Sequence, residues 1–252
     1  MSGDRYFDEL SSRFASKIYG STKGAVRLAV LQRDLLEVLP KRPLRVLDIG
    51  AGQGHIALWL AQQGHQLTLT EPSAPMLAEA EHAFAEAGLD ARFIQCPWQD
   101  LSQHLSSERF DLVLCHAVLE WLEEPLTSLS TLHRFVSDDG WLSLAFYNQD
   151  ALRYRNLIKG NFRKVSKEHW RGEQGGLTPQ QPIDPRLLES ALTEAGLGVQ
   201  ARSGIRVFFD YMPKQFQSHA SLETYVEQEL AHSRHPTFTG LGRYLHWLCQ
   251  RQ

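Results

Sequence analysis

Residues 46–55, VLDIGAGQGH, constrain the fold more than any other ten residues of the chain. The apolar run LRVLDI before them suits a short buried strand, and the acidic Asp48 lies near its end. Gly50, Gly52 and Gly54 follow at alternate positions. A backbone without Cβ atoms turns tightly there and lets a ligand approach closely. The next segment, HIALWLAQQG, reads as a helix ending at Gly64, and a helix N-terminus offers free N–H groups. Strand, glycine turn and helix together open a parallel sheet with helices on its faces.

The pattern then repeats. HQLTLTE is a strand by alternation, stopped by Pro72. SAPMLAEAEHAFAEAG is a helix with Ser73 as N-cap and Gly88 as stop. ARFIQC and most of FDLVLCHAVL are strands, Pro125 starts a further helix, and GWLSLAFYN is a strand after an Asp139-Gly140 turn. Residues 24–39 precede all of this as an amphipathic helix ended by Pro40. The expected fold is a doubly wound, Rossmann-like α/β sheet, mostly parallel. After it come a helix over DPRLLESALTEAG and strands over GIRVFFDYM and GRYLHWLC, which fit as antiparallel C-terminal strands. One domain of four parts is expected. These are an N-terminal helical cover (1–43), a core (44–149), a basic helical insertion over the substrate mouth (150–182) and the C-terminal part of the sheet (183–252).

Composition narrows the class. Charged residues are 22% and apolar residues 42% of 252, as in a globular domain large enough to bury a core unaided. Cys96, Cys115 and Cys249 lie far apart with no CxxC pair. That argues for reduced thiols, with no disulfide framework and no zinc ribbon. No metal is expected. The start MSGDRYFDEL has no apolar stretch of a secretory signal, and no run reaches a membrane span. A cytoplasmic protein is expected, as a monomer or homodimer.

The net charge of −3 hides an uneven distribution. Residues 1–45 carry +4, residues 46–150 carry −12, and residues 151–171 carry +6. A local positive field is therefore possible despite the acidic total.

A dinucleotide site spaces its glycines GxGxxG, whereas this loop is GxGxG with an acid two residues before the first glycine. That DxGxGxG form resembles motif I of the class I S-adenosylmethionine-dependent methyltransferases. Glu71, at the end of the next strand, is placed to accept hydrogen bonds from both ribose hydroxyls. The loop alone leaves a nicotinamide cofactor open; the ordered strand, helix and acid favour S-adenosylmethionine. The resemblance also implies cofactor contacts from Ala51 through its backbone, from Trp98 and Gln99 around the adenine, and from His116 in CHAVLEWL beside the methionine part. His55 and His65 read as surface or packing residues.

Over almost its full length the chain resembles the bacterial tRNA 5-carboxymethoxyuridine methyltransferases. The matching segments are FDELSSRFASKIYGSTKGAVRLAVL, RVLDIGAGQGH, CHAVLEWL, LSLAFYN, KGNF, GIRVFFDYM and FTGLGRYLH. This implies methyl transfer to the carboxylate of 5-carboxymethoxyuridine at wobble position 34, giving a methyl ester. A carboxylate is ionised at pH 7 and needs no general base, so no acid/base catalytic residue is expected and the mechanism is proximity. Arg27 matches a position near the cofactor carboxylate. Tyr19, Lys23, Tyr147, Asn148, Arg206, Tyr211, Arg243 and Tyr244 are the candidates for holding the substrate. For the anticodon stem-loop of the tRNA, Arg153, Arg155, Lys159, Arg163, Lys164, Lys167 and Arg171 are candidate backbone contacts, interleaved with Tyr154 and Phe162. Two other readings share the cofactor loop: a small-molecule carboxyl or O-methyltransferase, and a catalytically silent S-adenosylmethionine- or RNA-binding protein.

Overall fold

The computed structural model describes residues 21–168, 179 and 181–252. Tyr19 and Arg171 lie outside the described residues. The first helix, α1 (Thr22–Leu36), begins where the Ser21 hydroxyl accepts the Gly24 N–H. Next come β1 (Arg45–Ile49), α2 (His55–Gln62), β2 (Gln66–Glu71), α3 (Ala74–Glu86) and β3 (Arg92–Gln95). They are followed by α4 (Leu101–Leu105), β4 (Phe110–His116), α5 (Leu129–Phe135) and β5 (Val136–Tyr147). The C-terminal part holds α6 (Gln149–Ile158), α7 (Phe162–Ser166), α8 (Pro185–Glu194), β6 (Leu197–Ile205), α9 (Leu222–His232) and β7 (Tyr244–Arg251).

Seven strands form one sheet in the order β3-β2-β1-β4-β5-β7-β6. The first five are parallel, and β7 pairs antiparallel with both β5 and β6. The expected doubly wound sheet with antiparallel C-terminal strands is therefore the observed one. Successive residues of each strand face opposite layers. Leu47, Val113, Phe146 and Trp247 enter one core with α5 and α8. Val46, Leu112, Ala145 and Leu248 enter the other, where Val30, Leu31 and Leu35 of α1 and Leu60 of α2 meet them. Full burial of each such leucine contributes about 1.5–3 kcal/mol. The strand order reverses between β1 and β4, and in such sheets ligands bind in the crevice at the carboxyl ends of those strands.

Four local expectations are corrected. GIRVFFDYM is not a strand: β6 ends at Ile205, Arg206 turns with φ +61°, and Phe209–Tyr211 form a 3-10 turn. The cause is the buried Glu229 carboxylate on α9. It accepts the N–H groups of Val207 (2.7 Å), Phe208 (3.4 Å) and Phe209 (3.0 Å), which a strand would have offered to a neighbour. Helix α9 itself is an element that apolar periodicity does not announce. Helix α5 begins at Leu129, not at Pro125, because the Thr127 and Ser128 hydroxyls bond the Glu124 carbonyl and hold a turn there. The Asp139-Gly140 pair lies within β5, where the register against β4 slips between Phe110 and Leu112.

Candidate active site

The glycine loop leaves β1 with φ of +64° at Gly50, +57° at Gly52 and +71° at Gly54. A Cβ on Gly50 would stand 2.6 Å from Val118 Cγ2, so the loop and the segment after β4 touch only because Gly50 has none. A Cβ on Gly52 would meet no atom of the described residues within 4 Å. The loop is bare backbone beside open space at that point. The Gly52 N–H donates to Glu71 Oε2 (2.9 Å), and the Ser73 N–H donates to Glu71 Oε1 (3.0 Å). The Glu71 carboxylate is thus fixed by two backbone donors. Asp48 is buried beside it. Burial first, and the Glu71 charge second, push its carboxyl up to about 8, against the pull of Arg27.

The segment after β4 completes this half. His116 ends β4, and Ala117 then takes a left-handed φ of +60°, a conformation that non-glycine residues hold only under tertiary constraint. Glu120 is fully buried. Burial pushes its carboxyl up to about 7, against its own backbone N–H first, then Arg27 and the Tyr147 backbone N–H. Arg27, on α1, stands over the Tyr244 ring, 5.1 Å from its centroid. Its field reaches Asp48, His116 and Glu120.

Across β5 the sign of the charge reverses. Arg243 stands over the Tyr147 ring at 4.6 Å, and Arg206 stands over the Tyr244 ring at 5.5 Å. The two tyrosine rings meet edge-on at 5.4 Å. Tyr147 Oη, Arg206 Nε, Arg243 Nη1 and Arg155 Nε are all buried without a hydrogen-bond partner among the described residues. Asp210 pairs with Lys23 and with Arg206, both at 3.4 Å. Burial alone would raise the Asp210 carboxyl, but Arg206, Lys23 and Arg243 outweigh it and hold it low. One carboxylate facing three cations leaves positive charge uncompensated. Arg155 first, with Arg243 and Lys214 further down, lowers the Lys159 amine by the same surplus. A buried cationic donor without a partner costs more than one hydrogen bond is worth, so this arrangement is suited to an incoming anion.

The structure brings together Arg27, Asp48, Gly50, Ala51, Gly52, Gly54, Glu71 and His116 at the carboxyl edge of β1, β2 and β4. Trp98 and Gln99 sit in a 3-10 turn just beyond β3. Tyr147, Arg206, Arg243 and Tyr244 form the basic half. Three predicted substrate contacts are placed otherwise. Asn148 is buried, donates to the Gly240 and Gly242 carbonyls (both 2.9 Å) and caps α6 through Asp150. Its amide serves the framework and is not offered to a ligand. The Tyr211 hydroxyl donates to the Leu241 carbonyl (2.7 Å), and Lys23 is taken up by Asp210. Among the predicted backbone contacts, Arg155 lies inside the basic half, away from the outer face where Lys159, Arg163, Lys164 and Lys167 are exposed. Arg153 pairs with Asp150 (3.0 Å) and Glu168 (3.5 Å) and is no unpaired cation. Sequence reading missed Glu120, Asp210 and Lys214. Glu120 had a signal, being an acid inside the apolar string CHAVLEWL. His65, read as a packing residue, accepts the Leu44 N–H through Nδ1 (3.1 Å). No helix among the described residues is long and apolar enough to cross a membrane.

Residues 47–144 match the family model described as a methyltransferase domain. The structure aligns with a SAM-dependent methyltransferase from Aquifex aeolicus at TM-score 0.59 and 13% identity, covering 98% of each chain. It aligns equally, at TM-score 0.59 and 19% identity, with the plantazolicin methyltransferase BpumL solved with SAH, over 97% of this chain and 90% of that one. At such identities the likeness is one of fold. The tRNA 5-carboxymethoxyuridine methyltransferase of Escherichia coli K12 is 39% identical over 248 residues, 96% of this chain and 95% of that protein. An identity of that depth over nearly the whole of both chains places this one in the family of tRNA 5-carboxymethoxyuridine methyltransferases.

Proposed function

We propose that this protein methylates the carboxylate of 5-carboxymethoxyuridine at wobble position 34 of tRNA in the cytoplasm, with S-adenosylmethionine as donor. The observation that carries the reading is the junction, at one sheet edge, of a half-site built on buried carboxyls and a glycine loop with a basic one. The name of the E. coli relative supports the substrate; the unpartnered arginine and tyrosine groups support an anionic one.

The residues fit the cofactor. Glu71, held by Gly52 and Ser73 at the end of β2, would take the ribose hydroxyls, and the bare backbone at Gly52 would admit the nucleoside. Trp98 and Gln99 would flank the adenine, and Arg27 would take the terminal carboxylate. When bound, the donor supplies an electrophilic methyl group on a sulfonium. The protein's task is then alignment. Arg206, Arg243 and Arg155, with the Tyr147 hydroxyl, orient the substrate carboxylate with one oxygen toward the methyl. Several donors share the negative charge, so no single ion pair blunts the nucleophile. The carboxylate is already ionised, and no side chain has to remove a proton.

The outer face of α6 and α7 holds the RNA in this reading. Lys159, Arg163, Lys164 and Lys167 lie beside the exposed Tyr154, Leu157, Ile158 and Phe162. Cations for phosphates and rings for unpaired bases match a single-stranded loop. The test is mass spectrometry of wobble nucleosides in tRNA from cells lacking the methyl-ester step. After incubation with the protein and S-adenosylmethionine, 5-carboxymethoxyuridine gains one methyl group. No gain, with cofactor binding intact, removes the tRNA reading and brings forward a small-molecule carboxylate.

A further inference from the structure

Arg206 is placed by its backbone. It follows the last residue of β6, and its φ of +61° lies in the left-handed region. Residues with a Cβ hold that conformation only where the surroundings dictate it. Three sets of hydrogen bonds do so here. The Gly204 N–H donates to the Ser233 carbonyl (2.7 Å), and the Arg206 carbonyl accepts the Arg243 N–H (3.4 Å). The Glu229 carboxylate on α9 takes the next three N–H groups, Oε2 that of Val207 and Oε1 those of Phe208 and Phe209. The turn is also pressed against the segment before β7: a Cβ on Gly242 would stand 2.6 Å from Gly204 Cα. Arg206 and Arg243 are therefore backbone neighbours.

Successive backbone N–H groups form a concavity that takes an anion. Here the acceptor comes from the chain itself. Glu229 is fully buried and gives both oxygens to backbone, so it is not offered to a ligand. Ending the strand does not by itself require a buried acid. Glycine at position 206 would take a positive φ without a Cβ in the way. Arginine there is explained by where its guanidinium ends up. It stands 5.5 Å from the centroid of the Tyr244 ring and 3.4 Å from Asp210, and its Nε is buried with no hydrogen-bond acceptor among the described residues. Phe209, whose N–H Glu229 holds, also begins the 3-10 turn that carries Asp210. One carboxylate thus fixes the backbone on both sides of the Arg206–Asp210 pair.

We propose that Glu229 is a positioning residue for methyl transfer: by holding the N–H groups of residues 207–209 it keeps Arg206 in the left-handed turn from which its guanidinium reaches Tyr244 and Asp210. The inference rests on the reading that Arg206 orients the substrate carboxylate. Glu229 then matters to the reaction only through Arg206, although it lies on α9, outside the sheet that builds the site. It makes no demand on the cofactor loop, which follows β1.

A double-mutant cycle reads this coupling. In Glu229→Gln the NH2 meets an N–H donor whichever way the amide lies, so the hold on Val207, or on Phe208 and Phe209, is lost. With saturating tRNA that carries 5-carboxymethoxyuridine, methyl transfer is expected to fall about tenfold, while S-adenosylhomocysteine and tRNA affinities stay within about twofold. In an Arg206→Ala background the same substitution should change the rate by less than about twofold, because the guanidinium that Glu229 places is gone. A role in stability alone would lower the rate equally in both backgrounds, and an equal fall overturns the proposal. So does an undiminished rate in Glu229→Gln itself. If Glu229→Gln does not fold, Glu229→Asp decides by the same cycle. Its carboxylate is one methylene short of the three N–H groups, and the loss must again vanish with Arg206. Wild-type protein that methylates no 5-carboxymethoxyuridine removes the reading of the substrate, and this inference with it. Wild-type protein that does, with Glu229→Gln equally damaging in both backgrounds, removes the inference alone.

Discussion

The two halves of the carboxyl edge differ in sign but share one irregularity. On the β1, β2 and β4 side, Asp48 and Glu120 are buried carboxyls whose affinity for protons is raised. On the β5, β7 and β6 side, Arg206 Nε, Arg243 Nη1 and Arg155 Nε are buried with no hydrogen-bond acceptor among the described residues, although Arg206 also pairs with Asp210. Neither half satisfies itself. A buried group that is left unmatched marks a place where the missing partner arrives from solution. The acidic half suits a ligand rich in hydroxyl and cationic groups. The basic half suits an anion. Between them the edge can hold a cationic methyl donor against a carboxylate, the one pairing in which nucleophile and electrophile attract each other before they react.

Breaking the basic half has the largest expected effect. Arg243→Ala and Arg206→Ala each remove a charge-assisted contact worth about 1.5–3 kcal/mol, so methyl transfer should drop about 10- to 100-fold. S-adenosylhomocysteine affinity should stay within about twofold. Lysine at either position should restore only part of the rate, since it lacks the planar fork. Equal losses of rate and cofactor affinity would dissolve the distinction between the halves.

The acidic half is tested at Glu71. In Glu71→Gln the amide NH2 faces either Gly52 or Ser73, and one backbone N–H meets a donor. S-adenosylhomocysteine affinity should fall about 10- to 30-fold, while tRNA affinity measured without cofactor is unchanged. Loss of tRNA binding in this variant would show that the two half-sites are one.

A third experiment uses pH. Between the ordinary value of 3.8 and about 8, folded Asp48 keeps a proton that the unfolded chain has released. Glu120 does the same up to about 7. The unfolded state binds fewer protons in that window, so stability falls as pH rises. Asp34 has the opposite sign. Its carboxyl is lowered to about 2, so its contribution is complete above 3.8 and adds no slope near neutrality. These two carboxyls should cost the ligand-free protein roughly 1–3 kcal/mol between about pH 5.5 and 8, set against the opposite slope of His55, His65, His116 and His133, whose proton affinity burial lowers and which add stability as pH rises toward 6.5. Asp48→Asn should flatten the thermal-melting profile. An equally steep profile in that variant would place the titration elsewhere.

The acidic half was far more legible in sequence than the basic one, and the reason is physical. A glycine loop must be contiguous, because the turn, the free N–H groups and the helix start are neighbours in the chain. Asp48, Gly50 and Gly52 therefore announce one another. The basic half is assembled from α6 and the ends of β6 and β7, residues 155, 206 and 243, and no local pattern links them. Arg206 was placed in a strand because GIRVFFDYM alternates. The strand stops there because Glu229, more than twenty residues on, takes the backbone donors. Asn148 looked like a substrate contact at a strand end, but its partners Gly240 and Gly242 come from a distant turn. The buried hydrogen bonds that link Asp34, His246, Ser143 and His116 were invisible for the same reason, since these residues meet only across three strands and a helix.

The smallest effect concerns the outer face of the basic insertion, which differs from the basic half in being exposed. Lys164 and Lys167 stand in solvent on and just after α7, where an isolated ion contact is weak and screened. Such residues contribute through counterion release from the RNA, which is additive and blind to sequence. Lys164→Ala should weaken tRNA binding a few-fold at low salt and reduce the slope of log affinity against log salt by about one. The rate with saturating tRNA should not change, because nothing at the sheet edge has moved. Arg155→Ala, at the inner end of the same insertion, should show the reverse: a slower rate with the salt slope retained. If the two variants behave alike, the insertion is one continuous RNA surface, and Arg155 belongs to it and not to the pocket.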